Sequence, residues 1–346
     1  MSAEKKVAVV ILSWNGIKFL EQFLPSVVKY TSPELCEIIV ADNCSTDGSV
    51  QFIQKNYPQV TIIQNTRNGG YAGGYNDALK SVKSKYYVLL NQDVEVTANW
   101  VEAVIEQMEM GDDIAAAQPK LRDFFRRDFF EYAGGSGGFM DRFGYAFCRG
   151  RLFDTIEKDE GQYDDVKEIF WATGASMFVR SDVYWKAGAL DEDFFAHQEE
   201  IDLCWRIKNL GYRIICVPTS VIYHVGGGSL PQGNVKKTYL NFRNNMMMMF
   251  KNLPLSSLLW KMPVRIFLDM VAGFYGLVRN GNLKDMGAIL KAHVMFYAYL
   301  PRMLKKRTSI PHPSSGYLSR VNLLWQYFCR GKKKFSELVI QPSQKF

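Results

Sequence analysis

Residues 7–49 read VAVVILSWNGIKFLEQFLPSVVKYTSPELCEIIVADNCSTDGS, and this stretch decides the fold class. Two apolar runs of strand length, VAVVIL and EIIVAD, enclose a segment from Gly16 to Tyr30 whose apolar residues recur with helical spacing. Buried strands that alternate with helices are typical of a parallel sheet in the α/β class. Each strand ends in a polar cluster, SWN at 13–15 and DNCSTDGS at 42–49.

The same alternation continues to about Lys120. The further strand-like runs are VTIIQN and YYVLLN, and the further helical segments are Ser49–Tyr57, Tyr71–Lys83 and Asn99–Met110. Two more polar clusters, NTRNGGYAGGYN at 65–76 and NQD at 91–93, follow these strands. Since ligands of such sheets bind at the carboxyl ends of the strands, the four clusters predict one site on one edge.

Beyond Lys120 the pattern changes. Residues 122–162 are irregular and rich in glycine, which favours loops or a hairpin. Regular structure resumes with IFWATGASMFVR, a helix from Glu199 to Leu210 and the strand YRIICVP. Helical segments are expected near 236–251, 255–279, 283–307 and 316–330, and Met246–Met249 are expected to fill the core. We therefore predict a domain over 1–235, with halves 1–120 and 121–235, and a helical C-terminal region over 236–346.

Composition excludes several protein classes. The 346 residues are 47% hydrophobic and 22% charged, as in a folded globular protein. Six cysteines without zinc spacing suggest a reducing compartment. No signal peptide or membrane span is expected, because the opening residues MSAEKK lead into a strand and Ile266–Val278, the longest nearly apolar run, is too short. Residues 1–235 carry a net charge of −9 and residues 236–346 carry +16, so the basic region predicts an anionic surface as partner.

Two of the polar clusters have residue types suited to a nucleotide. Asp42 could accept from a nucleobase or ribose while Ser45 and Asp47 hold the turn, although an Asx turn with a helix cap explains it equally well. The glycines of NGGYAGGYN could let backbone amides approach a phosphate, with Arg67 and Asn76 adding polar reach. A glycine-rich turn into a helix is the favoured explanation of that cluster.

Acidic residues and one histidine suggest metal and acid–base chemistry. Asp93 could hold Mg²⁺ or Mn²⁺, and His224, after the run VIY, could add a nitrogen ligand. A helix cap and a structural histidine are the alternatives. Glu199 and Glu200 begin a helix and point about 100° apart, so at most one of them faces a reaction centre. Asp202 is expected to pair with Arg206, four residues later.

Taken in order, the clusters form a recognisable series. SWN, DNCSTDGS, NGGYAGGYN, LLNQDVEV, TGASMFVRSDVYWKAGALDEDFF, EEIDLCWRIKNLGYR and HVGGGS together resemble inverting glycosyltransferases of family 2 over about Lys6–Arg243. The nearest branch is similar to the rhamnosyltransferase-type enzymes of bacterial surface polysaccharide synthesis. The resemblance implies a GT-A fold, a nucleotide diphosphate sugar donor and a divalent cation.

The resemblance also implies roles for single residues. The implied donor contacts are Asn15, Asp42, Asn68, Gly70, Asn76 and Asn91. Asp93 matches the last position of the metal-binding DxD motif, and because Asn91 replaces its first carboxylate, His224 becomes a more plausible ligand. Glu199 and Glu200 align with the acidic pair of the family, and the second member would be the general base, with Glu199 as the alternative. The sugar carbon would be inverted.

The basic region suggests the place of the acceptor. The clusters RIFLDMVAGFYGLVR and HVMFYAYLPRMLKKR suit helices that lie in a membrane interface, which predicts a glycan or polyprenyl-linked acceptor on the inner face of the cell membrane and a cytoplasmic, peripheral enzyme. Core helices or a homodimer interface are the alternatives. No nucleic-acid reader motif is visible. A noncatalytic sugar-nucleotide scaffold and a nucleotidyltransferase are the competing functions.

Overall fold

The computed structural model describes residues 4–226, 234–307, 309 and 317–340. The strands of its central sheet are β1 (Val7–Ser13), β2 (Cys36–Asp42), β3 (Thr61–Gln64), β4 (Tyr86–Asn91), β5 (Val94–Val96), β6 (Ile114–Asp123), β11 (Lys167–Glu168), β12 (Ser176–Arg180) and β13 (Arg213–His224). Their order is β11-β13-β6-β12-β4-β1-β2-β3, with β5 beside β13. Strands β1 to β4 pair in parallel and β13 is parallel to β6, whereas β12 runs antiparallel between β4 and β6.

Helices flank the sheet, and all of them except α5 lie where the sequence predicted them. They are α1 (Ile17–Tyr30), α2 (Ser49–Asn56), α3 (Gly70–Leu79), α4 (Glu102–Met108), α5 (Ser181–Lys186) and α6 (Glu199–Asn209). Helix α1 buries Leu20, Phe23, Leu24 and Val27, which explains its helical spacing. Asp47 supports the start of α2 by accepting from the Ser49 amide at 3.1 Å, as expected.

The register brings the predicted polar clusters to one edge. Ser13 at the end of β1 lies opposite Asp42 at the end of β2, and Leu12 lies opposite Asn91 of β4. Since β12 is antiparallel, its first residue, Ser176, lies at this same edge, opposite Leu90. The edge formed by the carboxyl ends of the parallel strands therefore gathers the candidate site.

A second, antiparallel sheet accounts for the irregular stretch. Its strands are β7 (Gly138–Met140), β8 (Ala146–Cys148), β9 (Arg151–Leu152) and β10 (Thr155–Ile156), which confirms the hairpin interpretation. The prediction of a helix over 316–330 is wrong: the described part begins at 317 and holds only a short helical turn over Trp325–Cys329. Leu323 and Tyr327 pack on Phe147 and Leu152 of the small sheet, and this long-range packing overrides the helical spacing.

The C-terminal region is helical up to Arg307. Its helices are α7 (Val235–Asn252), α8 (Leu255–Asn280) and α9 (Leu283–Arg307). Met246–Met249 of α7 are completely buried in the main core, as predicted. In the described ranges, no helix combines the length and the apolar character that crossing a membrane requires.

Candidate active site

The loops after β1 and β2 are tied together. Asn15 accepts from the Thr46 amide at 2.8 Å, and its own amide donates to Ser45 Oγ at 2.9 Å. Asp42 accepts from the Ser45 amide at 3.2 Å through Oδ2, while its buried Oδ1 has no hydrogen-bond partner in the described part of the chain. Because buried carboxylate oxygens normally have donors, Asp42 Oδ1 is a candidate contact for a ligand.

The glycine-rich segment forms a turn that leads into α3. Nδ2 of Asn43 donates to Asn68 Oδ1 and to the Gly70 carbonyl, both at 3.0 Å. The Gly70 amide donates to Asn68 Oδ1 at 2.9 Å, and the Gly69 amide donates to Asn43 Oδ1 at 3.3 Å. Since these amides already have protein partners, a glycine-rich turn describes the segment better than a phosphate cradle. Sequence reasoning missed Asn43, and donor contacts of Asn68 and Gly70 stay predictions.

Asn76 connects α3 to the segment that precedes α6. Its Oδ1 accepts from the Tyr184 hydroxyl at 2.6 Å and from the Leu190 amide at 3.2 Å, and its Nδ2 donates to the Leu190 carbonyl at 2.8 Å. Both ends of this buried amide are therefore held by protein. Asn76 orients the neighbouring segment, and its donor contact stays a prediction.

Asp93 and His224 lie side by side at the ends of β4 and β13. Nε2 of His224 is 3.2 Å from Asp93 Oδ1 and 3.4 Å from Asn91 Nδ2, while Nδ1 lies 3.3 Å from Glu131 Oε1. Burial alone would lower the pKa of His224, but the carboxylates of Asp93 and Glu131 raise it to about 10. Burial likewise raises the pKa of Asp93, and His224 outweighs that effect, so the pKa lies below its usual value.

The Asp93–His224 pair fits a divalent metal ion. Ligands about 2.1 Å from an octahedral ion are about 3 Å apart, close to the 3.2 Å found here. Glu131, which the sequence did not single out, stands where a carboxylate commonly orients a metal-binding imidazole. Among the described residues, no three His, Cys, Asp or Glu side chains could hold an ion by themselves, so ligand or water oxygens would complete its shell. Residues 227–229 of the predicted HVGGGS motif lie outside the described residues.

The acidic pair at the start of α6 is strongly perturbed. Burial, and then the charge of Glu200, raise the pKa of Glu199 well above its usual range, and burial raises the pKa of Glu200 to about 7. Within the described ranges, Oε2 of each glutamate is buried without a hydrogen-bond partner, as are His197 Nε2 and Gln198 Oε1. Four consecutive residues with such atoms mark a surface where a polar ligand would bind.

Contacts connect this acidic pair to the Asp93–His224 pair. Gly174 lies next to Glu200, because a Cβ built on Gly174 would be 3.7 Å from Cγ of Glu200. The Gly174 carbonyl accepts from the Tyr71 hydroxyl at 2.6 Å. The carbonyl of the next residue, Ala175, accepts from the Asn91 amide at 3.0 Å. A carboxylate suited to proton transfer at neutral pH and a pair suited to a cation therefore share one edge of the sheet.

Comparison with known proteins assigns part of the chain to a family. Residues 8–157 match the family model described as Glycosyl transferase family 2. The chain contains a glycosyl transferase family 2 domain. The matched range holds Asp42, Asp93 and Glu131, and the acidic pair and His224 follow it in the chain.

Individual proteins resemble this glycosyltransferase chain over most of its length. The N-acetylglucosaminyl-diphospho-decaprenol L-rhamnosyltransferase of Mycobacterium tuberculosis is 24% identical over 234 residues, which cover 62% of this chain and 75% of the relative. Rhamnosyltransferase WbbL of Escherichia coli is 26% identical over 227 residues, or 63% of this chain and 83% of the relative. The crystal structure of GalNAc-T7 with UDP, GalNAc and Mn²⁺ has a TM-score of 0.59 at 15% identity and covers 90% of this chain, which spans 59% of that structure. The fold is GT-A, as predicted.

Basic side chains from the C-terminal helices neutralise acidic residues in and just before α6. Asp202 pairs with Arg206 at 2.8 Å, as expected, and also with Lys251 of α7 at 2.8 Å. Asp191 pairs with Lys251 and with Lys306 of α9. Part of the basic excess of residues 236–346 therefore serves these internal ion pairs next to α6, and an anionic surface as partner stays a prediction.

Proposed function

We propose that this protein is a metal-dependent, inverting glycosyltransferase of cell-surface polysaccharide synthesis. It would move a sugar, rhamnose or another hexose, from a nucleotide diphosphate sugar to a glycan or a polyprenyl-linked acceptor. The observation that carries the proposal is the placement of Glu200, with a pKa of about 7, at the same sheet edge as the Asp93–His224 pair in a family 2 domain.

The donor would bind along the ends of β1, β2, β3 and β4. The residues proposed to contact or shape its site are Asn15, Asp42, Asn68, Gly70, Asn76 and Asn91. Asp93 and His224 would hold Mg²⁺ or Mn²⁺, a choice supported by their 3.2 Å spacing and by the Mn²⁺ of the GalNAc-T7 structure. When bound, such an ion acts as a Lewis acid that neutralises a departing diphosphate.

Glu200 is the proposed general base. It would accept the proton of the acceptor hydroxyl as that oxygen attacks the sugar carbon from the face opposite the diphosphate, which inverts the configuration. A base works best when its pKa lies near the working pH, and burial brings the pKa of Glu200 to about 7. Glu199, whose pKa lies well above its usual range, would hold its proton more tightly and serve poorly as a base.

The acceptor is proposed to reside on the cytoplasmic face of the cell membrane. The M. tuberculosis relative is named for a decaprenol-linked acceptor, and both relatives are named rhamnosyltransferases. The net charge of +16 on residues 236–346 exceeds what the internal ion pairs with Asp191 and Asp202 use, and the remainder supports contact with anionic lipids.

A donor panel tests the proposed function. The full chain is incubated with uridine, guanosine and thymidine diphosphate sugars, with Mg²⁺ or Mn²⁺ and a membrane extract as the acceptor source. The proposal expects one donor to be consumed with release of nucleoside diphosphate. Release of pyrophosphate from a nucleoside triphosphate would instead indicate a nucleotidyltransferase, and donor binding without turnover would indicate a scaffold protein.

A further inference from the structure

On helix α8, large apolar side chains are exposed and charged side chains are buried. Between Leu255 and Val278, the part whose side chains the structure describes, no exposed residue is charged. The large exposed side chains there are Leu255, Leu259, Trp260, Phe267, Val271, Phe274, Tyr275 and Val278. The charged residues of this part, Lys261, Arg265 and Asp269, are all buried, and Arg265 pairs with Asp269 at 2.7 Å. A helix that faces water shows the opposite arrangement.

Helix α9, which packs against α8, exposes further apolar residues and adds positive charge. Its large exposed apolar residues are Leu283, Leu290, Val294, Tyr297 and Leu304. Its exposed basic residues are Lys284, Lys291, Lys305 and Arg302, of which Arg302 also pairs with Asp193 at 3.3 Å. The only acid of α9, Asp285, accepts hydrogen bonds from Thr238 and Asn282. The α8–α9 surface, meaning these exposed residues of the two helices, is therefore apolar and purely basic.

We propose that the α8–α9 surface inserts into the headgroup layer of an anionic lipid bilayer. The exposed row on α8 extends over about 35 Å at 1.5 Å per residue, which suits a helix lying in the membrane plane. Charge complementarity favours lipid over a second copy of the chain, because two such surfaces would bring like charges together. The inference deepens the proposed function, on which it rests for a lipid-linked acceptor. The proposed binding differs from simple charge attraction because the apolar side chains of α8 insert into the bilayer and contribute to the binding free energy.

Vesicle flotation tests this surface with the full chain. The wild type should float with phosphatidylcholine–phosphatidylglycerol vesicles, and about 1 M NaCl should weaken the binding without abolishing it. The double variant Phe267→Glu/Phe274→Glu should bind at least about tenfold less, since it places charge in the inserted row. Met110→Glu, an equally exposed apolar position that follows α4 and belongs to neither α8 nor α9, is the control and should bind like the wild type.

Two outcomes would overturn the membrane proposal: no flotation of the wild type, or equal flotation of the wild type and the double variant. If neither protein floats and the wild type is a dimer while the double variant is a monomer, the surface is a dimer interface instead. Nucleoside diphosphate release is measured in parallel on the same samples. Flotation without any donor turnover would contradict the proposed function and leave the membrane proposal standing.

A second inference concerns the segment that leads into α6. Phe195 has φ 65° and ψ −57° and lies at the centre of a γ-turn in which the Ala196 amide donates to the Phe194 carbonyl at 2.8 Å. His197 and Gln198 follow with φ of 69° and 73°. These conformations are costly for residues other than glycine, so neighbouring structure has to hold them.

Side chains of helix α7 hold this segment through hydrogen bonds. Nδ2 of Asn244 donates to the carbonyls of Phe194, Ala196 and His197 at 3.0, 2.9 and 2.7 Å. Arg243 donates to the Phe194 carbonyl at 3.1 Å and to Asn244 Oδ1 at 2.9 Å, which orients the amide. Both side chains are buried. We infer that Arg243 and Asn244 are positioning residues for the proposed base, and for the role of Glu200 this inference rests on the proposed function.

Asn244→Ala and Asn245→Ala form a matched pair of variants. Asn245 is also buried on α7, but it donates to the Gly144 carbonyl at 2.8 Å, away from the γ-turn. Asn244→Ala should lower kcat at least about tenfold and change the donor KM by less than about threefold, because it misplaces the base rather than the donor site. Amide hydrogen exchange over 194–200 should be faster in Asn244→Ala only.

Equal loss of kcat in both variants, or unchanged exchange over 194–200 in Asn244→Ala, would overturn the positioning role. If the wild type turns over no nucleotide sugar, the proposed function fails, and the exchange comparison alone then decides whether Asn244 holds this segment.

Discussion

Glu200→Gln should inactivate the enzyme and stabilise the fold. The substitution keeps the shape of the side chain but removes the proton acceptor. A general base usually contributes about 10² to 10⁴ in rate, which corresponds to about 3 to 5 kcal/mol of activation free energy. Donor affinity should survive, because the proposed donor contacts lie at or after the ends of β1 to β4 and not on α6.

The stability gain follows from the raised pKa. The pKa of Glu200 rises from its ordinary value of 4.5 to about 7 on folding, so the folded state disfavours the carboxylate. The resulting loss in unfolding free energy is absent below pH 4.5, grows between the two pKa values and is complete above about pH 7. At about 1.4 kcal/mol per pH unit it amounts to about 3 kcal/mol at pH 8, which the neutral amide would recover.

Two measurements check these opposite effects. Denaturant unfolding should show a clearly larger stabilisation of the Glu200→Gln variant at about pH 8 than at about pH 5, and steady-state kinetics should show the loss of kcat. Wild-type kcat should fall about tenfold per unit as the pH drops below about 7, since the protonated carboxyl cannot act as a base. If Glu199→Gln shows the larger kcat loss with intact donor binding, the two roles are reversed; if both variants keep full activity, the acid–base assignment is wrong.

Three further predictions concern neighbouring residues. Asp93→Ala should fold normally but lose activity and metal-dependent donor binding. EDTA should abolish wild-type turnover, and Mg²⁺ or Mn²⁺ should restore it. Full wild-type activity in EDTA would contradict the metal site. Gly70→Ala should lower kcat because its Cβ would lie 2.6 Å from the Phe195 carbonyl oxygen. The control, Gly211→Ala, is also at positive φ but has nothing within 4 Å of its Cβ. It should lower the unfolding free energy by about 1 to 2 kcal/mol and leave kcat unchanged. Lys306→Glu, which faces Asp191 and Asp193, should lower Tm by about 5 °C or more in the absence of membranes, while the exposed Lys334→Glu should leave Tm within about 1 °C.

Local patterns predicted most of the central sheet. Apolar runs such as YYVLLN form strands because both faces of a parallel sheet are buried, and each strand ends where its apolar run gives way to polar residues. The same reasoning correctly predicted that Asp42 and Asp93 lie on one edge of the sheet, since both follow strands that run in the same direction. The helix expected over 316–330 failed because its apolar residues pack on a distant hairpin, and spacing within the segment carries no information about that contact.

Residues that support the site were beyond sequence reasoning for a related reason. Glu131 belongs to an irregular glycine-rich stretch, and only the pairing of β13 with β6 brings it to His224. Asn244 lies in a run of ordinary helical residues, and its three carbonyl partners are 47 to 50 residues away in the chain. Such roles depend on tertiary contacts, whereas the residues proposed for chemistry stand in short motifs of recognisable type.

Anomalous diffraction at the manganese edge would locate the metal ion and the diphosphate relative to Glu200. Crystals of the full chain are grown with Mn²⁺ and the nucleoside diphosphate that the donor panel identifies. We expect a manganese peak at Asp93 and His224, with the diphosphate on the same ion and the Glu200 carboxylate facing the sugar site. A peak at other residues, or a diphosphate bound away from the ends of β1 to β4, would contradict the proposed site.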